Sequence, residues 1–320
     1  MPSSTANVDE GSIRRVAVIG CGTIGASFAA LFAANGLQTT VYDPRPEAEI
    51  LLWDTIKRTS KTIAAIQDKA FTVSTYTVKF TTDLTTALEG ADLVQENSPE
   101  QLHVKHSLLQ KIDEIAKPSA LICSSTSGLT CSSMQAALQQ HPDRFLIAHP
   151  FNPPHLIPLI EIVGGKKTSA AAISTAMAFY TRIGKKPIHI QKEVKGHVAN
   201  RLQAALAREV MYLLQEEVLS VADIDVAMEF GPGLRWSAMG PSMLWHLGGG
   251  QGGISHYAEQ FLEPLMSWYA PADPVIDKEL TERWVNGTKD MVGVRRFEDL
   301  SEARDDIIVR VLQMKRLNRE

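Results

Sequence analysis

Cysteine is scarce in this chain of 320 residues: there are three, Cys21, Cys123 and Cys131, an odd number without metal-ligand spacing. That excludes a disulfide framework and gives no reason to expect a bound metal; reduced thiols suit a cytoplasmic compartment. Long apolar runs are missing too, and none reaches the roughly 18 residues of a membrane span. The opening stretch, Met1 to Gly11, is polar and holds no apolar segment of a secretory signal, so it reads as a frayed tail. Basic blocks are absent and the net charge is −4, which argues against nucleic acid or an anionic membrane surface as a partner. No internal repeat or low-complexity tract stands out. What remains is a chain 44% hydrophobic and 21% charged, the balance of a soluble globular protein, and long enough for two domains.

The most informative stretch is Val16-Ala17-Val18-Ile19 followed by Gly20-Cys21-Gly22-Thr23-Ile24-Gly25. A buried strand is followed by glycines at GxGxxG spacing and by an apolar helix. Gly20 permits a tight turn, Gly22 lets the backbone approach a pyrophosphate, and Gly25 lets the helix pack against the strand. The helix start, with Thr23 and Ile24, offers N–H groups and a partial positive charge to phosphate. A second strand ends in Asp43, near the spacing of a carboxylate that accepts the ribose hydroxyls of NAD and repels the extra phosphate of NADP. Arg45, two residues on, weakens that repulsion without reversing it. NAD is therefore the expected cofactor.

Strand and helix patterns alternate through the first 190 or so residues, which predicts a doubly wound, mainly parallel α/β sheet of Rossmann type. Beyond Gly196 a long amphipathic helix is expected from Val198 to Val221, and little after it reads as strand. The expected domains are a nucleotide-binding domain over 12–194 and an all-helical substrate and dimerisation domain over 195–320. Three polar segments fall where strands should end, the edge at which open α/β sheets bind ligands. Ser124-Ser125-Thr126-Ser127-Gly128 offers hydroxyl donors, though a serine-rich turn reads the same way. His149 precedes a stiff proline turn and could act as a general base, with Glu161 on the next strand holding its ring. Asn200 opens the long helix, where capping is the plain alternative.

Together these segments resemble the 3-hydroxyacyl-CoA dehydrogenase superfamily, from about Arg15 to the end of the chain. The resemblance rests on the glycine fingerprint, Gln95-Glu96-Asn97, Ser125-Thr126-Ser127, the His149-Pro150-Phe151-Asn152-Pro153 stretch with Glu161, and Gly196 to Arg201. It implies that His149 is a base partnered by Glu161, that Ser127 and Asn200 orient the substrate oxygen, and that Glu96 lies near the nicotinamide. It also implies a homodimer. Within the superfamily the chain looks less like the acyl-CoA enzymes, whose lysine-rich helical hairpin would have only Lys57, Lys61 and Lys69 as counterparts. Gly231-Pro232-Gly233-Leu234-Arg235-Trp236 and the glycine-rich run after His246 resemble the carnitine-oxidising branch, although Asn200 stands where those enzymes can carry Asp. A free hydroxy acid needs a cationic clamp, and Arg235 could grip a carboxylate with two bonds. A trimethylammonium has no N–H and is held on aromatic faces, for which Trp236, Trp245, Tyr257 and Phe151 are candidates. The resemblance thus points to NAD-dependent oxidation of L-carnitine to 3-dehydrocarnitine. L-gulonate or another small hydroxy acid, a short-chain hydroxyacyl-CoA, and a crystallin-like structural or NAD-sensing role are the alternatives.

Overall fold

A computed structural model describes residues 13–67 and 77–317. The tail Met1 to Gly11 and Lys69 therefore lie outside the described residues. By its contacts the chain divides into two compact units, Met1–Asn200 and Arg201–Glu320.

The first unit alternates strand and helix. In chain order it contains β1 (Arg15–Ile19), α1 (Thr23–Ala34), β2 (Gln38–Tyr42), α2 (Ala48–Gln67), β3 (Val78–Thr81), α3 (Leu84–Leu88), β4 (Leu93–Glu96) and α4 (Leu102–Ile115). It continues through β5 (Leu121–Ser124), α5 (Cys131–Gln135), β6 (Phe145–Pro150), β7 (Leu159–Gly164), α6 (Ala170–Arg182) and β8 (Lys186–Ile190), and α7 (Ala199–Gln215) starts at its end. The strands form one eight-stranded sheet in the order β3-β2-β1-β4-β5-β6-β7-β8. Every pairing is parallel except β6 with β7, which the short turn between them makes antiparallel. Alternate residues of β1 feed opposite faces: Val16 and Val18 join the apolar cluster with Phe28, Phe32 and Leu52, and Ala17 and Ile19 join the one with Leu109 and Ile112. Burial on both faces is why the strand reads as a continuous apolar run.

The order reverses between β1 and β4, and such a switch point is where open sheets of this kind take ligands. Gly20 sits there at φ +93°, and a side chain on it would meet the Asn97 carbonyl oxygen at 2.8 Å. A Cβ at Gly25 would lie 1.8 Å from the Gly20 carbonyl oxygen, so only glycine lets α1 approach β1 this closely.

The second unit is helical: the body of α7, then α8 (Val221–Phe230), α9 (Pro232–Ala238), α10 (Pro241–Gly248), α11 (Gly253–Ser267), α12 (Lys278–Val292) and α13 (Phe297–Leu317). Its small buried cluster comprises Leu214, Val221, Ile224 and Leu280. The single helix expected over Val198 to Val221 is corrected here. Helix α7 stops at Gln215, Glu217 turns to φ +53°, and the Ser220 hydroxyl caps α8 by accepting from the Asp223 amide at 3.1 Å. Helical spacing of apolar residues carries across the break, so periodicity alone misses it. Strand β3 has no counterpart in the sequence reading.

Candidate active site

The nucleotide edge is built from β1, α1 and β2. Space opens where a Cβ on Gly22 would point, and no side chain caps the α1 N-terminus that begins at Thr23. A phosphate group has both room and free N–H donors there. Asp43 follows β2 and is nearly buried. Its Oδ2 accepts from the Cys21 amide at 2.9 Å and from Arg45 Nη2 at 3.1 Å; its Oδ1 accepts from Arg45 Nε at 2.9 Å and the Arg45 amide at 3.1 Å. Burial alone would raise its pKa, but the Arg45 guanidinium and these amides hold it below the usual carboxylate value. Arg45 thus pairs with the very carboxylate that a ribose diol would use, and it does so from an exposed position. Cys21, inside the glycine turn, is buried and its thiol is pushed up to about 12, so it packs rather than reacts. These residues fit NAD: Gly20, Gly22, Thr23, Ile24 and Gly25 would hold the pyrophosphate and Asp43 the ribose.

His149 and Glu161 face each other across the antiparallel pair β6–β7 in direct register. Both are buried, and His149 Nδ1 lies 2.7 Å from Glu161 Oε2. Glu161 Oε1 accepts from the amides of Val198 and Ala199, each at 2.9 Å, at the start of α7. Burial would raise the Glu161 carboxyl; the His149 bond and the two amides together hold it below its ordinary value. An ionised carboxylate only accepts, so the neutral His149 carries its proton on Nδ1 and keeps the Nε2 lone pair. That is the arrangement of a general base. The Phe151 ring meets His149 edge-on at 6.3 Å. Ser127 lies exposed on the turn after β5, and Asn200 Nδ2 donates to its carbonyl at 3.3 Å. The structure therefore gathers His149, Glu161, Phe151, Ser127 and Asn200 within one unit.

Glu96 ends β4. It is fully buried, its Oε1 accepting from Ser98 N, Ser98 Oγ and Lys105 Nζ at 2.6, 2.5 and 2.9 Å, its Oε2 from Ser124 Oγ and Lys105 Nζ at 2.5 and 3.0 Å. With its acceptors spent on protein donors, it shapes the loop after β4 rather than presenting an open oxygen. The residue that sequence reasoning passed over is Glu100, four positions on. Its Oε1 accepts from Thr126 Oγ1 at 2.5 Å, Ser127 N at 3.0 Å and Gly128 N at 2.9 Å, so it holds the turn that carries Ser127. Half-burial would raise its carboxyl, and these donors lower it further than burial lifts it. No local signal distinguishes Glu100 from Glu96; only the fold brings residues 100 and 126–128 together. The two quoted tripeptides also join. Gln95 Nε2 donates to Ser125 Oγ at 2.8 Å, and Ser125 Oγ donates to Asn97 Oδ1 at 2.8 Å.

In the helical unit, Arg235 lies exposed on α9, and no ion pair or side-chain hydrogen bond among the described residues engages its guanidinium. Trp236, beside it, is also exposed. Trp245 on α10 stacks on Tyr257 of α11 at 6.2 Å, and Tyr257 meets Phe261 at 5.1 Å, which makes a half-open aromatic wall. Among the described residues no His, Cys, Asp or Glu cluster could hold a metal, and no helix is long and apolar enough to cross a membrane.

The profile of the 3-hydroxyacyl-CoA dehydrogenase NAD binding domain matches residues 15–194, and that of the 3-hydroxyacyl-CoA dehydrogenase C-terminal domain matches residues 196–296. The chain is 41% identical over 310 residues to the L-carnitine dehydrogenase of Streptomyces coelicolor, covering 94% of this chain and 95% of that one. It is 37% identical over 309 residues to the L-carnitine dehydrogenase of Bacillus cereus, with 96% and 94% covered. Among solved structures it is similar to 5-formyl-3-hydroxy-2-methylpyridine 4-carboxylic acid 5-dehydrogenase, an NAD+-dependent dismutase. The TM-score there is 0.80 at 29% identity, over 96% of this chain and 98% of that one.

Proposed function

Since this chain belongs to the 3-hydroxyacyl-CoA dehydrogenase family and is an NAD-dependent oxidoreductase acting on a 3-hydroxyl, we propose that it oxidises L-carnitine to 3-dehydrocarnitine. The observation that carries the chemistry is the buried His149–Glu161 pair, with Nδ1 spoken for and Nε2 available. His149 Nε2 takes the proton of the substrate hydroxyl. Glu161, held ionised by the α7 amides, stabilises the imidazolium that results. Ser127 and Asn200 orient the hydroxyl oxygen. Bound NAD supplies the acceptor for the hydride that leaves the carbinol carbon. The choice of substrate rests on near full-length similarity to the two L-carnitine dehydrogenases and on the chemistry of the helical unit. Arg235, with no protein partner among the described residues, suits a carboxylate, and the rings of Trp236 and Trp245 suit a quaternary ammonium.

We also assign residues 12–194 to cofactor binding and 195–320 to substrate binding and dimerisation. We infer a cytoplasmic location, which fits three unpaired, buried thiols. NADH formation from a panel of L-carnitine, L-gulonate, 3-hydroxybutyrate and 3-hydroxybutyryl-CoA tests the assignment, with L-carnitine expected to lead. If L-gulonate or the thioester leads and L-carnitine is inert, the substrate is wrong and the dehydrogenase stands. Arg235→Met should raise KM for every carboxylate on the panel. Trp245→Leu should harm L-carnitine more than 3-hydroxybutyrate, because only the former presents a cation to the ring.

A further inference from the structure

His197 lies between the proton-transfer pair and the Ser127 turn, and the reading above gives it no task. Its backbone takes φ +53°, a left-handed conformation that costs a histidine something and a glycine nothing. Its ring is 98% buried, at 2% relative exposure, and its centroid lies 5.0 Å from that of His149. Its Nε2 lies 3.1 Å from the Thr126 carbonyl oxygen. A carbonyl only accepts, so the proton sits on Nε2 and Nδ1 is left as a bare acceptor. Nδ1 is buried and has no hydrogen-bond partner among the described residues. Burial, with His149 alongside, keeps the ring below the ordinary histidine value; the Thr126 bond, then Glu161 and Glu100, pull the other way and do not prevail. A strained backbone and an unspent acceptor are both unfavourable, and a ring needed only to fill space would incur neither the second nor the desolvation of two nitrogens.

The Thr126–Gly128 turn explains what is gained. Its donors are held from one side by Glu100. Its carbonyls are held from the other side by residues 197 and 200: His197 takes that of Thr126, and Asn200 Nδ2 takes that of Ser127. The same short segment sends the amides of Val198 and Ala199 to Glu161. We propose that His197 is a positioning residue, which locks the turn carrying Ser127 in register with the His149–Glu161 pair through the Thr126 carbonyl.

The proposal rests on the proton-transfer reading above, so its test separates the two. His197→Phe keeps a ring against His149 but loses the bond to Thr126; His197→Gln loses the ring but can place a neutral N–H where Nε2 stood. Steady-state kinetics use whichever panel substrate yields NADH. Expected is a kcat for His197→Phe reduced roughly tenfold with KM for NAD unchanged, and recovery of most of the loss in His197→Gln, since small misplacement of an orienting group is felt in the chemical step. A packing role predicts the reverse order, so a Phe variant at the wild-type rate, or a Gln variant no better than Phe, overturns the proposal. Ring-nitrogen NMR of histidine-labelled wild-type protein reads the bond without turnover. Protonation at Nε2 of His197 at neutral pH is expected, and protonation at Nδ1 overturns the proposal even if every panel substrate proves inert. Absence of NADH from the whole panel, by contrast, defeats only the functional reading.

Discussion

His149 and Glu161 are twelve positions apart in sequence and directly opposite in the β6–β7 register, so one oxygen of the carboxylate meets the imidazole at 2.7 Å while the other accepts from the Val198 and Ala199 amides. His149→Ala should lower kcat by about 10²–10⁴-fold with NAD affinity nearly intact, the range for loss of a general base. Glu161→Gln should also lose much of the rate, since an amide stabilises imidazolium poorly. The double variant should be little worse than the worse single one, because the two groups act as a unit. Single-turnover kinetics with NAD titration check all three, and a His149→Ala enzyme within a few-fold of wild type rejects the assignment. Asp43 leads to a second expectation. Wild type should prefer NAD, Asp43→Ser should relax the preference, and Arg45→Ala should sharpen it. Arg45 now partly neutralises the carboxylate that would repel a 2′-phosphate. The ratio of kcat/KM for NAD and NADP is the measurement, and a fall in that ratio for Arg45→Ala counts against the role given to the pair. The residue types at these positions are legible in the sequence. That Glu96 faces inward to Ser124 while Glu100 holds the Ser127 turn depends on contacts between segments that sequence spacing does not encode.

Among the elements, the turn from α6 into β8 carries the most unusual charge. Lys185 is buried, with Nζ 2.6 Å from the carbonyls of both Pro154 and Ile157, in the turn that joins β6 to β7. Burial lowers its pKa from 10.5 to about 7. The folded chain then sheds this proton near pH 7, and the unfolded chain keeps it to about 10.5. Between those limits the unfolded state binds more protons, so stability should rise with pH by up to about 1.4 kcal/mol per unit from this group. The contribution is smallest below pH 7 and complete above the unfolded value. Lys185→Met should flatten that part of the stability profile, as read from urea midpoints at pH 7 and 9, and an unchanged slope contradicts the account. Helix α7 shows the limit of pattern reading at this scale. Its apolar spacing runs on past Gln215, yet the left-handed Glu217 and the Ser220 cap divide it. A break of this kind depends on backbone conformation at one or two residues, which hydrophobic periodicity averages away.

Over the whole molecule, the helical unit leaves a large amount of apolar surface exposed in one chain. Phe230, Leu234, Phe261, Leu262, Met266 and Trp268 are each more than a third exposed. Exposed aromatic and aliphatic side chains of this kind are the material of an interface, and a second copy of the chain is the occupant we propose. Light scattering at micromolar concentration should give twice the chain mass, and Phe261→Glu with Leu262→Glu should shift it toward monomer. A wild-type monomer under those conditions rejects the dimer.

The sequence by itself determined the class of fold, the nucleotide turn and the cofactor, because each depends on local order: a buried strand, three glycines at set spacing, a helix start and an acid at the end of the next strand. It also named the histidine, glutamate, serine and asparagine that the fold gathers. Tertiary structure alone decided how they meet. The antiparallel turn of one strand pair sets His149 opposite Glu161, the start of α7 delivers two amides to that carboxylate, and residues 197 and 200 reach back to the carbonyls of 126 and 127. The reason is physical. Turn and helix signals act over a few residues and are written in composition, whereas register and burial arise only when distant segments exclude water together and must satisfy one another's polar groups.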